Sequence, residues 1–175
     1  MVTQMDTILI TPKDTFFRAR KGRYFRKVSE VKAPPNHKAG NGRLNPQGVS
    51  YLYVSESIST TFHEVNACGH TPITVIRCQP RKTLRILNLV ASDKEKDNIH
   101  SFKRIIDREL SKPYTKIDNQ IGYKPTQAIA LFIRDHLKLD GVRYSCSKDM
   151  TKQNILIFNP NQCNYELINK IFRVN

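Results

Sequence analysis

The sequence predicts a mixed α+β fold, and three observations carry that assignment. Strand-like apolar segments outnumber helical ones, they often follow one another directly, and the helices between them are few. A doubly wound sheet would instead alternate strand and helix along the chain. The chain has 175 residues, 39% of them apolar, enough for a buried core in one domain spanning residues 1–175.

Each element has its own local signal. Residues 15–20, TFFRAR, read as a first extended segment. Residues 33–42, APPNHKAGNG, form a loop dense in residues that break both helix and strand. Residues 49–54 alternate as a strand, which places Tyr51 and Tyr53 on one face. A helix follows over 57–65, with Ser57 near its start and Ile58, Phe62 and Val65 as its core side. Its second stripe, Thr60, Thr61, Glu64 and Cys68, either faces solvent or lines a cavity.

Residues 73–78 and 83–89 are apolar strands, and 92–97, SDKEKD, is a charged segment expected to be mobile. A helix is expected over 99–110, with Phe102, Ile105, Ile106 and Leu110 on its apolar side. Pro125 opens a further helix, PTQAIALFIRDHL, in a first-turn position where its missing N–H costs nothing. Residues 141–144 and 154–158 read as strands, and 165–174 as extended.

Several function classes are disfavoured. The longest apolar run, from Ala128 to Ile133, is stopped by Arg134 and Asp135, far short of the roughly 18 residues of a membrane span. The N-terminus lacks the basic start, apolar stretch and cleavage site of a secretory signal. The four cysteines, Cys68, Cys78, Cys146 and Cys163, are scattered with no CxxC pair, which favours a reducing compartment. With His63 and His70, Cys68 and Cys78 match no standard zinc spacing, so no metal is expected. A cytoplasmic protein fits these features.

The net charge is +14, and basic residues crowd the first quarter: Arg18, Arg20, Lys21, Arg23, Arg26, Lys27, Lys32, Lys38 and Arg43. Such a patch suits nucleic acid, an acidic protein or the phosphates of a smaller ligand, or is simply a solvated surface. The G-x-x-x-x-G-K-S/T phosphate loop, the G-x-G-x-x-G fingerprint and the G-x-S-x-G elbow are all absent. What remains is dispersed: Arg18, Arg43, Tyr53, Glu64 and the run Tyr144-Ser145-Cys146-Ser147. Arg43 is either a turn arginine in solvent or a charge held over a site. Tyr53 is either a packed strand tyrosine or an aromatic wall. Glu64 is either a solvated helix residue or a fixed carboxylate.

Five stretches taken together, FFRARKG, APPNHKAGNGRLNPQGVSYLYVSESISTTFHEV, YKPTQ, DGVRYSCSKD and NILIFNP, resemble the RES domain from Phe16 to Pro160. That family is named for an arginine, a glutamate and a serine. The resemblance implies an ADP-ribosyltransferase-like core of small, mostly antiparallel sheets with a few flanking helices. It also implies cleavage of NAD at the nicotinamide–ribose bond, by hydrolysis or by phosphorolysis with inorganic phosphate. NAD is then a substrate and not a resident cofactor. The protein would act as a toxin paired with an Xre-type DNA-binding antitoxin.

By the same resemblance, Arg43 is the named arginine and clamps the diphosphate of NAD, a role suited to a forked donor. Arg18 is a second phosphate contact. Tyr53 stacks on nicotinamide, with its hydroxyl near the ribose. Glu64 stabilises positive charge developing on the ribose, or orients the ribose or the acceptor. At the serine the chain departs from the usual Tyr-x-Ser-Ser, because without a gap Cys146 occupies that position. Ser147 is the expected carrier of the serine role, with Ser145 as the alternative. Three other readings stand beside this one. They are ADP-ribosylation of a macromolecule on the same fold, a non-catalytic basic module binding nucleic acid, and a partner protein inactive because of Cys146. The nucleic-acid reading lacks basic and aromatic residues interleaved on a known motif.

Overall fold

The structure, a computed structural model, describes residues 6–23, 27–65, 72–90, 98–111, 122–146 and 149–168. The expectations at Arg26, Cys68, His70, 92–97, Ser147 and 169–174 lie outside the described residues, as does the side chain of Phe102.

The strands are β1 (Thr7–Ile10), β2 (Phe16–Lys21), β3 (Leu52–Ser55), β4 (Ile73–Pro80), β5 (Leu84–Asn88), β6 (Gly141–Cys146), β7 (Asp149–Ile157) and β8 (Cys163–Leu167). Among the described residues they join one eight-stranded sheet in the order β1-β5-β6-β7-β3-β2-β4-β8, where the resemblance implies small sheets. Every neighbouring pair is antiparallel except β5 and β6. Among the described residues four α-helices flank it: α1 (Val28–Val31), α2 (Ile58–Glu64), α3 (Asn98–Ser111) and α4 (Lys124–Asp135). This is the α+β class that the sequence predicts.

One apolar cluster draws on Ile10, Phe16, Leu52, Ile76, Leu84, Ile86, Ile155 and Ile157, from strands at both ends of the sheet order. Ile76, Leu84, Ile86 and Ile157 are wholly buried, yet the only described helix in that cluster is the four-residue α1, through Val31. The sheet therefore curls and covers its own inner face. A second cluster lies under α3 and α4, with Leu110, Ala130 and Ile133 against Val142, Tyr144 and Leu156. Each large side chain buried in this way contributes roughly 1.5–3 kcal/mol.

Local details differ from the expectations in instructive ways. β1 has no counterpart among the segments the sequence predicts; its four residues pair from Thr7↔Leu87 to Ile10↔Leu84 and form a sheet edge. The expected strand over 49–54 begins only at Leu52, so Tyr51 precedes it. Ser57 caps α2, its Oγ accepting from the Thr60 amide at 3.2 Å, and Pro125 lies in the first turn of α4, both as expected. The most buried residues of α2 are Thr60 and Thr61, while Ile58, Phe62 and Val65 are half-buried against Ala19, Ile73 and Val75. Ile105, expected in the core, is 61% exposed. The buried face of α3 instead runs through Lys103, Asp107 and Ser111 at four-residue spacing, with Leu110 beside it. Among the described residues no helix is long and apolar enough to cross a membrane.

Candidate functional site

The site begins at a defect in the sheet. β2 and β3 share a single registered pair, Phe17↔Ser55, whereas β2 and β4 run together over six. Beyond that pair the strands part, and Arg18 bridges the opening. Its Nε donates to the Val31 carbonyl at 2.8 Å and an Nη donates to the Tyr53 carbonyl at 3.2 Å. Burial lowers the pKa of this guanidinium below its ordinary value, and it pairs with no carboxylate among the described residues. A gap between strands normally leaves buried carbonyls unpaired, and a long forked donor repairs that.

The loop Gly42-Arg43-Leu44-Asn45-Pro46-Gln47-Gly48 is built to hold its arginine still. Leu44 is wholly buried in the cluster beneath α3 and α4 and anchors the loop. Asn45 donates to the carbonyls of Gly40 and Val49 at 2.9 and 3.0 Å and accepts from the Tyr53 hydroxyl at 2.8 Å. That hydroxyl also accepts from the Leu44 amide at 3.1 Å. The Tyr53 hydroxyl is thus engaged with the loop, and burial raises the phenol well above its ordinary pKa. Gly48 takes φ +82°, which closes the turn. A Cβ on Gly42 would lie 2.3 Å from Asn45 Oδ1, so that position has no room for a side chain.

Helix α4 clamps the same loop from outside. Gln127 Nε2 donates to Asn41 Oδ1, the Gly42 carbonyl and the Asn45 carbonyl at 2.7, 2.7 and 3.1 Å. The Thr126 hydroxyl donates to the Arg43 carbonyl. These residues are the end of YKPTQ. The Arg43 guanidinium donates to the Leu110 carbonyl at 2.5 Å, in the last turn of α3, where helix carbonyls lack partners.

Glu64 arrives at the C-terminal end of α2. Its Oε1 accepts from Asn154 Nδ2 at 2.8 Å and from the Cys146 thiol at 3.0 Å. Ser55, Asn154 and Tyr144 lie opposite one another across β3, β7 and β6 and form a row beneath the carboxylate. Burial, first of all, pushes the Tyr144 phenol well above its ordinary pKa, and Tyr53, Glu64 and Cys146 add to that while Arg43 opposes it.

Arg43, Tyr53, Glu64, Tyr144 and Asn154 line a cavity of about 110 Å³. A second cavity of about 230 Å³ shares Tyr53, Glu64, Tyr144 and Asn154 with it and adds Arg18, Ser55 and Thr61. Four of the residues singled out from sequence therefore meet around two adjoining cavities. Ser145 does not join them. Its amide donates to Asp107 Oδ1 at 2.7 Å, its hydroxyl to Asp107 Oδ2 at 2.6 Å, and its carbonyl accepts from Ser111 at 2.7 Å. The registered pairing of β5 with β6 ends at Arg143, and two residues of α3 one turn apart satisfy the next edge position instead. It is Cys146, the residue in the ungapped serine position, that touches Glu64. Asn154, Thr126 and Gln127 carry the arrangement without having been assigned roles from sequence. The signal for Asn154 was a single amide opening the apolar run NILIF.

A family description, the RES domain, matches residues 15–170. No curated protein matches the sequence. Among solved structures, a chain in the crystal structure of the M. tuberculosis MbcT–MbcA toxin–antitoxin complex has a similar fold. Its TM-score is 0.52 at 14% identity, covering 91% of this chain and 86% of that one. A likeness at that identity is one of fold.

Proposed function

The chain belongs to the RES domain family, and from that premise we propose that it consumes NAD by breaking the nicotinamide–ribose bond. One observation supports this most: Glu64, fixed by two donors, lines the same cavity as Arg43 and Tyr53. Whole-ligand pockets for small molecules measure on the order of 300–1,000 Å³. Cavities of about 110 and 230 Å³ suit the nicotinamide-ribose end of a dinucleotide, with the diphosphate at their arginines and the adenosine lying along the surface.

In the proposed reaction the diphosphate lies against Arg43 and Arg18, whose forked donors match its oxygens. The ring of Tyr53 forms a wall for nicotinamide, while its hydroxyl keeps the loop of Arg43 in place. As the bond between ribose C1 and the pyridinium nitrogen breaks, the electron pair goes to nicotinamide, which leaves neutral. Positive charge then develops on the ribose, where the Glu64 carboxylate stabilises it. An oxygen of phosphate or water bonds to C1, and water releases a proton in doing so. NAD is a substrate here, and the charge stabilisation comes from the chain's own side chains.

We further infer that the protein acts as a toxin held in check by an Xre-type antitoxin. The similar fold in the MbcT–MbcA toxin–antitoxin complex supports this, and so does the net charge of +14, which suits an acidic partner surface. Incubating purified protein with NAD, with and without inorganic phosphate, and separating the products tests the reaction. ADP-ribose-1″-phosphate only when phosphate is present means phosphorolysis, and free ADP-ribose means hydrolysis. Intact NAD in both arms contradicts the proposal, and label transferred from NAD to a macromolecule redirects it to ADP-ribosylation.

A further inference from the structure

Asn154 is 5% exposed, in the middle of a strand whose next three residues, Ile155, Leu156 and Ile157, are buried and apolar. A buried amide in such a place needs partners for both its ends. It has them: Oδ1 accepts from the Ser55 hydroxyl at 2.7 Å, and Nδ2 donates to Glu64 Oε1 at 2.8 Å. Chemistry fixes this orientation. An ionised carboxylate only accepts, so the amide nitrogen faces Glu64, and the amide oxygen is left for Ser55, whose hydroxyl then donates. Ser55 is 3% exposed and stands directly opposite Asn154 in the β3–β7 register, so the two side chains face each other across neighbouring strands.

We propose that Asn154, oriented by Ser55, is a positioning residue that fixes the carboxylate of Glu64 in the cavity. The inference rests on the reading of Glu64 as the group facing the reacting sugar. Glu64 itself is exposed at the end of a seven-residue helix, where a glutamate side chain ordinarily samples several rotamers. The Ser55–Asn154 pair ties it to the central strands of the sheet, and the thiol of Cys146 adds a weaker second donor to the same oxygen. Aspartate in place of Asn154 keeps the shape and sets a second carboxylate against Glu64.

The test combines kinetics with a readout that needs no turnover. For Asn154→Asp, kcat falls by about 30-fold or more while KM for NAD moves by less than about threefold. Ser55→Ala lowers kcat by about three- to tenfold in the wild-type background but by less than about twofold beside Asn154→Asp, because it acts through that amide. The carboxyl 13C resonance of Glu64, assigned by its loss in Glu64→Gln, shifts in both single variants. An unmoved resonance in Asn154→Asp overturns the inference, as do independent, multiplying effects of the two substitutions on kcat. If wild-type protein leaves NAD intact, the enzymatic reading fails and the resonance alone decides this one. If Asn154→Asp does not fold, the resonance in Ser55→Ala decides.

Discussion

Cys146 stands against Glu64 where a hydroxyl would donate more strongly, at 3.0 Å from Oε1. Replacing a weak donor to a carboxylate with a good one is worth about 1 kcal/mol, or about fivefold in rate if it strengthens in the transition state. Cys146→Ser is therefore expected to raise NAD turnover about fivefold, and steady-state kinetics check it; an unchanged or lower rate means that the thiol does not act through Glu64. Tyr53→Phe removes the partner of the Leu44 amide and of Asn45 Oδ1. Urea denaturation should show a loss of about 1–3 kcal/mol, the cost of leaving such groups unpaired. At this scale residue type and resemblance together single out Arg43, Tyr53 and Glu64, and these three line one cavity. The sequence is less informative at the serine position, where three adjacent residues compete and strand alternation sends Ser145 and Cys146 to different partners.

At the scale of elements, the loop of Arg43 owes its shape to α4. Gln127 supplies one amide nitrogen to three acceptors from that loop. Gln127→Glu would point a carboxylate oxygen at those acceptors, so the loop should shift, stability should fall by about 1–3 kcal/mol, and KM for NAD should rise. Denaturation and initial-rate measurements on one preparation test both parts; an unchanged KM with the loss of stability would mean that the clamp does not position Arg43. YKPTQ is visible as a motif, but its task is not, because donor and acceptors are 82 to 86 residues apart in sequence. β1 was missed for a related reason: a four-residue edge strand carries little periodic signal, and its pairing with β5 spans most of the N-terminal half. Ile105 was misplaced because the buried side of α3 includes Lys103, Asp107 and Ser111, which polarity alone assigns to the surface.

For the whole molecule, the two apolar clusters on the faces of the sheet enclose ionisable groups that must stay protonated. Burial pushes the thiol of Cys78 up to about 12 and that of Cys163 up to about 11, and raises the phenols of Tyr53, Tyr144 and Tyr165. A raised folded-state value means that the unfolded chain loses these protons first as pH rises. Stability is then fully present below the unfolded thiol value of roughly 8.5 and declines through pH 11. Melting temperatures across pH 7–11 should fall in the upper half of that range, and a flat profile would contradict this account of the core. The α+β class was legible from segment patterns, whereas the single curled sheet and the opening between β2 and β3 were not. Both depend on pairings far apart in sequence, and one register mark, Phe17↔Ser55, decides where the sheet parts.

The central claim is that Glu64 performs NAD cleavage at that opening, and the most direct measurement compares wild type with Glu64→Gln in one NAD-consumption assay with phosphate present. Glutamine retains the size and removes the charge. The account predicts NAD loss by wild type, a fall of about 100-fold or more in kcat for the variant, and NAD binding kept within a fewfold. Equal turnover by the two proteins would contradict it.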